Sequence, residues 1–445
     1  MKPIRTLHVS AHLGGGVGRV LSEVARFRRE QGAAVEDTFV CLEAPKTERY
    51  LKVLKTIGAN VCVSPSRKEL QALVANADIV QIEWWHHPLM AEFLTQWEMP
   101  ESRLVIWSHI SGLHYPAIPE SFVRLPHAFL FTSGVSLSAI ERSDHGEENI
   151  VRVVHSSGGF DDIPLASRTS GGQLRFGYLG SLNPAKLHPE IVEYLQRVDV
   201  PDFQVEFYGD PSANSRLRDF AGQNARNSPV VLRGYTDEPF RALGGMDVFV
   251  YLLNPEHYGT TENALLEAMA CGALPVVLNN PVERTIVENG KTGIVVDSPR
   301  AFADAIASLC RNPAECRRLG VDSASTVREK CSVENTAAQL ETIYRVAMDI
   351  PKRRFDFAGV FGSTPSAWFK SCLGKYTSLF EGDIGEVNRV ERLRHAFLYE
   401  RSKSSAFQFS TYFPSDAVLK DWGAMLNGDL TAQQEQVFRY RGCGA

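Results

Sequence analysis

The chain is predicted to fold as two consecutive doubly wound α/β domains followed by a shorter C-terminal segment. Three observations predict this. Short runs of branched and apolar residues alternate with helical stretches, which favours mainly parallel sheets covered on both faces. The alternation stops in a stretch rich in Asp, Ser, Thr, Gly and Pro (Asp161–Gly172) and restarts at Leu174. Beyond Pro351 it is lost, and aromatic residues of mixed spacing take over. The expected domains are residues 1–165, 166–350 and 351–445.

The first domain opens on a strand at Arg5–Ala11, a glycine loop, and a helix from about Gly16 to Gln31. Further strands are expected at Glu36–Leu42, Asn60–Ser64, Asp78–Trp84, Leu104–Ser108, Ala128–Thr132 and Ile150–Val154, with helices such as Lys68–Asn76 between them. The second domain repeats the scheme at Leu174–Leu179, Gln204–Tyr208, Val230–Arg233, Val248–Leu253, Leu274–Leu278 and Gly293–Val296, and closes with the helix Glu334–Met348. In the last segment, Phe355, Phe357, Phe361, Trp368, Phe369, Tyr376 and Phe380 suit a helical extension that packs back on the first domain. Basic residues beside Trp and Phe also suit an acceptor-binding or membrane-surface element.

Composition narrows the class. The 445 residues carry a net charge of −5, with 44% hydrophobic and 22% charged residues, an ordinary globular balance. No basic excess supports nucleic-acid binding. The eight cysteines form neither a disulfide framework nor paired CxxC motifs, and Cys41, Cys62 and Cys271 sit in apolar stretches. A reducing, cytoplasmic location is expected. The N-terminus lacks the apolar core of a signal peptide, and no apolar run approaches the roughly 18 residues of a membrane span.

The most informative stretch is His257–Asn280, HYGTTENALLEAMACGALPVVLNN. It reads as a loop, a helix and a buried strand. Thr260 and Thr261 are expected to cap the helix with their hydroxyls, and Cys271–Gly272 ends it. A helix start beside a Gly/Thr loop offers free N–H groups and a positive dipole end, which suits a diphosphate. Glu267 is an acid set among Leu265, Leu266, Ala268, Met269 and Ala270, placed to hold a ribose diol.

This order resembles the donor-site signature of the retaining GT-B glycosyltransferases of family 4. Glu267-Ala268-Met269-Ala270-Cys271-Gly272 matches their E-A-M-A-x-G run. The usual spacing puts their first acid at Gly259, while Glu256 is displaced by three residues and Glu262 is a third candidate. Gly180-Ser181-Leu182-Asn183-Pro184-Ala185-Lys186 resembles G-R-L-x-x-x-K, with Lys186 in place and Ser181 where an Arg is expected. Arg19 and Lys291 are candidate substitutes for that cation. Gly209 and Tyr235 correspond to segments lining the nucleotide base. Gly15 and Gly16, in Gly14-Gly15-Gly16-Val17-Gly18-Arg19, correspond to a turn facing the donor; the loop departs from G-x-G-x-x-G at Arg19. His109 stands where family members hold a histidine near the transferred sugar or acceptor. Ser133 and the turn Ser157–Asp161 also follow the family order.

The resemblance spans residues 5–350 and implies a GT-B architecture, two Rossmann-like domains facing a cleft. It implies retaining transfer of a sugar from a nucleoside-diphosphate sugar to a hydroxyl of a glycan or lipid-linked acceptor. The expected catalytic residues are His109, Lys186 and Glu262. Donor-binding residues are Gly15, Gly16, Ser181, Lys186, Gly209, Tyr235, Gly259, Thr260, Thr261, Glu262 and Glu267. No metal or other cofactor is expected: His86, His87, His109 and His114 lie at strand ends without a helical His-x-x-x-His or an adjoining acid cluster. The implied setting is cell-surface polysaccharide or glycolipid assembly, in the cytoplasm or at the inner face of the membrane. A nucleotide-sugar epimerase or hydrolase on the same fold, and a non-catalytic GT-B partner, are the alternatives.

Overall fold

The computed structural model describes residues 2–140, 149–156, 158–160, 163–166, 172–223, 228–381, 386–401 and 403–442, with side chains to residue 431 except that of residue 386. Most of the expected linker Asp161–Gly172, and both ends of the turn Ser157–Asp161, lie outside the described residues. The chain divides into two compact units. The first comprises Met1–Arg19, Arg28–Val153 and Glu341–Ala445, and the second Val20–Phe27 and Val154–Leu340.

The first unit is built on a seven-stranded sheet: β1 (Ile4–Ser10), β2 (Val35–Cys41), β3 (Asn60–Val63), β4 (Ile79–Trp84), β5 (Leu104–Ser108), β6 (Ala128–Phe131) and β7 (Ile150–Val153). Its order is β3-β2-β1-β4-β5-β6-β7, and every pairing is parallel. The direction of winding reverses between β1 and β4, the switch point where such sheets hold ligands beyond the carboxyl ends of their strands. Strands β4, β5 and β6 are buried at every residue; β5 and β6 are correspondingly almost wholly apolar, while β4 carries Gln81 and Glu83 inside the core.

The extension is helical and covers this sheet. Its pieces include Ala358–Phe361, Pro365–Ser371, Ala406–Tyr412 and Ala417–Gly442. It enters through a bridge between Arg353 and Ser102 and through the Pro351 carbonyl, 3.1 Å from His127 Nε2. Phe361 stacks on Trp84 at 5.3 Å and meets Phe122 at 4.8 Å, while Phe397 stacks on Tyr115 at 4.8 Å. The extension is therefore core to the unit, with Trp368, Phe369 and Phe409 fully buried in it. No helix among the described residues is long and apolar enough to cross a membrane.

The second unit has a six-stranded parallel sheet: β8 (Phe176–Leu179), β9 (Val205–Tyr208), β10 (Val230–Gly234), β11 (Val248–Tyr251), β12 (Leu274–Leu278) and β13 (Ile294–Val296). The order β10-β9-β8-β11-β12-β13 repeats the winding of the first sheet, with its switch point between β8 and β11. Each expected strand is present, with ends shifted by no more than two residues. The helix Asn263–Ala270 buries Leu265, Leu266, Ala268, Met269 and Ala270 and leads into β12, buried throughout.

Candidate active site

In the second unit the segments that follow β8 and β11 converge at the switch point. Lys186 Nζ lies 2.7 and 2.6 Å from the two carboxylate oxygens of Glu262. Tyr251, the last residue of β11, donates its hydroxyl to Glu262 Oε2 at 2.6 Å. The pair is held in place by backbone: Leu187 bridges Leu253, and the Asn254 N–H donates to the Lys186 carbonyl at 2.9 Å. The Glu262 side chain is 1% exposed and that of Lys186 12%. Burial alone would raise the carboxyl pKa of Glu262, but Lys186, His257 and Tyr251 reverse this and hold it below its ordinary value. Burial, then the charge of Glu262, raises the Tyr251 hydroxyl, so it remains a phenol donor.

Behind the pair, the Gly259 N–H donates to His257 Nδ1 at 3.1 Å. The ring proton therefore sits on Nε2, which points at Glu283 Oε2 at 3.2 Å. Asn280 completes the support by donating to Glu283 Oε1 at 3.1 Å. Gly259 is demanded by space: a Cβ there would stand 1.7 Å from Glu262 Oε1 and 2.6 Å from Lys186 Nζ.

The helix begins differently from the sequence expectation. Glu262 is the N-cap residue, in the left-handed conformation (φ 52°, ψ 59°), and no side chain caps the helix. The left-handed turn carries the Glu262 carboxylate back to Lys186, and the Thr260–Thr261 pair falls before the cap position. Both threonines are buried, and Thr261 Oγ1 has no hydrogen-bond partner among the described residues. An uncapped helix start beside a buried, unused hydroxyl is prepared for an anion. Glu267, half-buried, follows on the same helix.

The other donor-side residues gather at neighbouring strand ends. The Gly180 N–H donates to the Tyr208 carbonyl at 3.0 Å, and the Gly209 N–H to the Gly234 carbonyl at 2.9 Å. A Cβ on Gly209 would stand 2.2 Å from the Gly180 carbonyl oxygen, so these turns can approach only as glycines. The Ser181 carbonyl accepts from Tyr178 at 2.7 Å. Tyr235 follows β10 and is 72% exposed, unusual for a large aromatic and free to stack.

Gly15, Gly16 and His109 belong to the first unit. Gly15 starts the helix Gly15–Glu30 with φ 58°, a conformation that favours glycine. His109 Nε2 lies 2.7 Å from Glu83 Oε2. Glu83, on β4, also accepts from Gln81 Nε2 at 2.7 Å and lies 3.2 Å from His8 Nδ1. His8 Nε2 lies 3.0 Å from Asp37, which accepts from Arg28 at 2.8 Å. Tyr344 closes the row on Gln81 Oε1 at 2.5 Å. Burial opposes the charge on Glu83, but its His109 and His8 partners prevail and bring its pKa down to about 2. Asp37 is likewise held at about 2, with Arg28 the leading favourable influence against burial. His8 is raised despite burial because both ring nitrogens face carboxylates.

Sequence reading missed Glu83, His8 and Asp37, although polar residues inside a fully buried strand (Gln81 and Glu83 in IVQIEW) were the available signal. It also missed Glu43, which His12 and His87 join so that three potential ligand atoms lie within 4.8 Å of one another. The ring nitrogens do not suit a cation. His12 Nδ1 accepts from the Gly14 N–H at 3.1 Å and His87 Nδ1 from the Leu89 N–H at 3.3 Å, so each ring carries its proton on Nε2. His87 Nε2 then faces Glu43 at 3.4 Å as a donor. His86 is structural, its Nε2 lying 3.1 Å from the Trp368 carbonyl oxygen.

Residues 173–312 match the family described as glycosyl transferases group 1. Over 97 residues the chain is 29% identical to the alpha-1,3/1,6-mannosyltransferase ALG2 of Dictyostelium discoideum, a stretch covering 22% of either chain. The match thus spans about a fifth of that curated relative. Among solved structures, a glycosyltransferase from Rickettsia africae superposes with a TM-score of 0.63 at 16% identity, over 79% of this chain and all of that one. HepE of Anabaena, crystallised with UDP and glucose, gives 0.60 at 14%, over 77% of this chain and again all of its own. Sucrose-phosphate synthase of Thermosynechococcus elongatus gives 0.57 at 15%, over 78% and 99%. The fold is GT-B, and the resemblance to group 1 glycosyltransferases read from the sequence is borne out.

Proposed function

We propose that this GT-B chain, whose residues 173–312 match the group 1 glycosyltransferases, is a retaining glycosyltransferase using a nucleoside-diphosphate sugar. The observation that carries the reading is the Lys186–Glu262 pair at an uncapped helix start on the β8/β11 switch point. Lys186 and Glu262 neutralise each other, so the attraction for a diphosphate comes first from the helix N–H groups and the Thr261 hydroxyl. Lys186 then exchanges a Glu262 oxygen for a phosphate oxygen and stabilises charge on the leaving diphosphate, where preorganised donors contribute most to the rate. Glu267 holds the ribose diol, and Tyr235 and the glycine turns contact the base. Because UDP occupies the similar fold of HepE, a uridine nucleotide is the first choice.

Retention proceeds by front-face substitution, in which the leaving phosphate oxygen takes the acceptor hydroxyl proton. The acceptor is a glycan or lipid-linked sugar, reached by a cytoplasmic enzyme, and no resident metal takes part. The test is a thermal-shift series with UDP, GDP, ADP, dTDP and CMP on wild type and Glu267→Ala. UDP should stabilise the wild type selectively, with the shift lost in the variant. An equal shift in both proteins would overturn the role of Glu267. No shift with any nucleotide would favour a non-catalytic GT-B partner.

A further inference from the structure

The buried row behind His109 has no part in holding a nucleotide, yet it is among the most fully engaged polar structures in the first unit. Glu83 is fully buried and takes three donors: Gln81 and His8 on one oxygen and His109 on the other. A buried carboxylate cannot donate, so the hydrogen between it and His109 belongs to the ring, on Nε2. His109 Nδ1 has no hydrogen-bond partner among the described residues. The imidazole, tilted against Trp107 at 5.0 Å, therefore presents a bare lone pair on its other side.

We propose that Glu83 is a positioning residue that locks His109 in its Nε2–H form, so that Nδ1 accepts a hydrogen bond from a sugar hydroxyl of the substrate. The proposal rests on the glycosyltransferase reading for the identity of that hydroxyl. A sugar offers many donors and few fixed orientations, and a ring free to choose its tautomer would accept from some and donate to others. Glu83 removes that choice. It is itself fixed by the row Arg28, Asp37 and His8, in which positive and negative groups alternate across β2, β1 and β4. His8, between two carboxylates, has a hydrogen on each nitrogen and cannot release Glu83 by turning over. Gln81 is anchored in turn by Tyr344. The charged and titratable groups linked to His109 through this row are Glu83, His8, Asp37, Arg28 and Tyr344.

The discriminating variant is Glu83→Gln. Its amide oxygen is expected to turn toward the two donors, His8 and Gln81, which sets its NH2 against His109 Nε2. The His109 proton should then move to Nδ1, and the outward face of the ring should become a donor. A comparable loss of the orienting carboxylate in a Ser-His-Asp triad, through the wrong tautomer, costs about 10⁴ in rate. Here a fall of roughly 100-fold or more in UDP-sugar turnover is expected, with UDP affinity unchanged because Glu83 is bonded to His8, Gln81 and His109 and to none of the residues assigned to the nucleotide. Nitrogen-15 spectra of the His109 ring, assigned with His109→Ala, should show the proton on Nε2 in the wild type and on Nδ1 in Glu83→Gln.

A wild-type ring protonated on Nδ1 would overturn the proposal, as would a Glu83→Gln enzyme of wild-type rate. If Glu83→Gln does not fold, the wild-type spectrum still decides the tautomer, and Glu83→Asp, keeping the carboxylate, should recover part of the turnover; a Glu83→Asp protein that folds with no recovery would count against it. A wild type that turns over no sugar nucleotide defeats the transferase reading and leaves the ring spectrum to judge the tautomer lock by itself.

Discussion

At the scale of single residues, the donor-side site is organised around one missing side chain. Gly259 is not needed for its backbone freedom, since its φ is ordinary; it is needed because Glu262 and Lys186 occupy the space of a Cβ. Gly259→Ala should break their contact and leave a buried carboxylate without its cation, at a cost of about 3–5 kcal/mol, with UDP binding lost as well. Urea unfolding and a UDP titration check this, and a variant retaining both stability and UDP affinity would contradict the arrangement. The same residue explains what was legible. The E-A-M-A-x-G run was readable because its apolar positions and Glu267 follow helical spacing. Which acid lies against Lys186 was not: Glu256 and Glu262 both stood open beside Gly259 at the usual position, and the left-handed backbone at Glu262 that brings its carboxylate to Lys186 has no signature in sequence.

At the scale of elements, the strands were legible because parallel strands buried on both faces are short, branched and apolar, as in LVIWS and LPVVL. The short pieces of the extension were not, since runs of four and seven residues are too short to show a period. What links strands β2, β1 and β4 is a charge row, and it predicts a pH profile. Asp37 and Glu83 fall to about 2 from ordinary values of 3.8 and 4.5, so they add stability above about pH 4.5 and lose it as pH drops toward 2. His8 is raised from 6.5, so its contribution is complete below that pH and is lost as pH rises through its folded value. Burial also lowers His86 to about 4 and His87 to about 3 in this unit, which adds stability as pH rises toward 6.5, so urea midpoints for the first unit should climb to a maximum in a window near pH 6.5. A midpoint still climbing above that window would show that His8 is not held as a cation.

At the scale of the whole molecule, two windings of the same kind serve different ends. The second unit supplies a switch point with an open helix start, and the first fills its switch point with charge and covers its sheet with the extension. Five of the extension's buried aromatics (Phe361, Trp368, Phe369, Phe397 and Phe409) contribute on the order of 10 kcal/mol by burial, as much as the net stability of a typical domain. Deleting residues 351–445 should leave the first unit unfolded or insoluble. Solubility and near-ultraviolet circular dichroism would show it, and a truncated chain with the wild-type spectrum would contradict it.

The path of the chain through its two units has a further consequence, for synthesis. The first sheet is finished at Val153, but Tyr344, Pro351, Phe361 and Phe397, which seal it, are made only after the whole second unit. Gln81 meets Tyr344 across 263 residues of sequence. At ~5–20 residues per second, the ribosome needs about 15–60 s to reach residue 445 from Val153. Until Phe361 is made, Trp84 and Phe122 stand uncovered on a nascent sheet, whereas the second unit has all of its strands once Val296 is made. The second unit is therefore free to fold first, and the earliest part of the chain to be made is the last to become native.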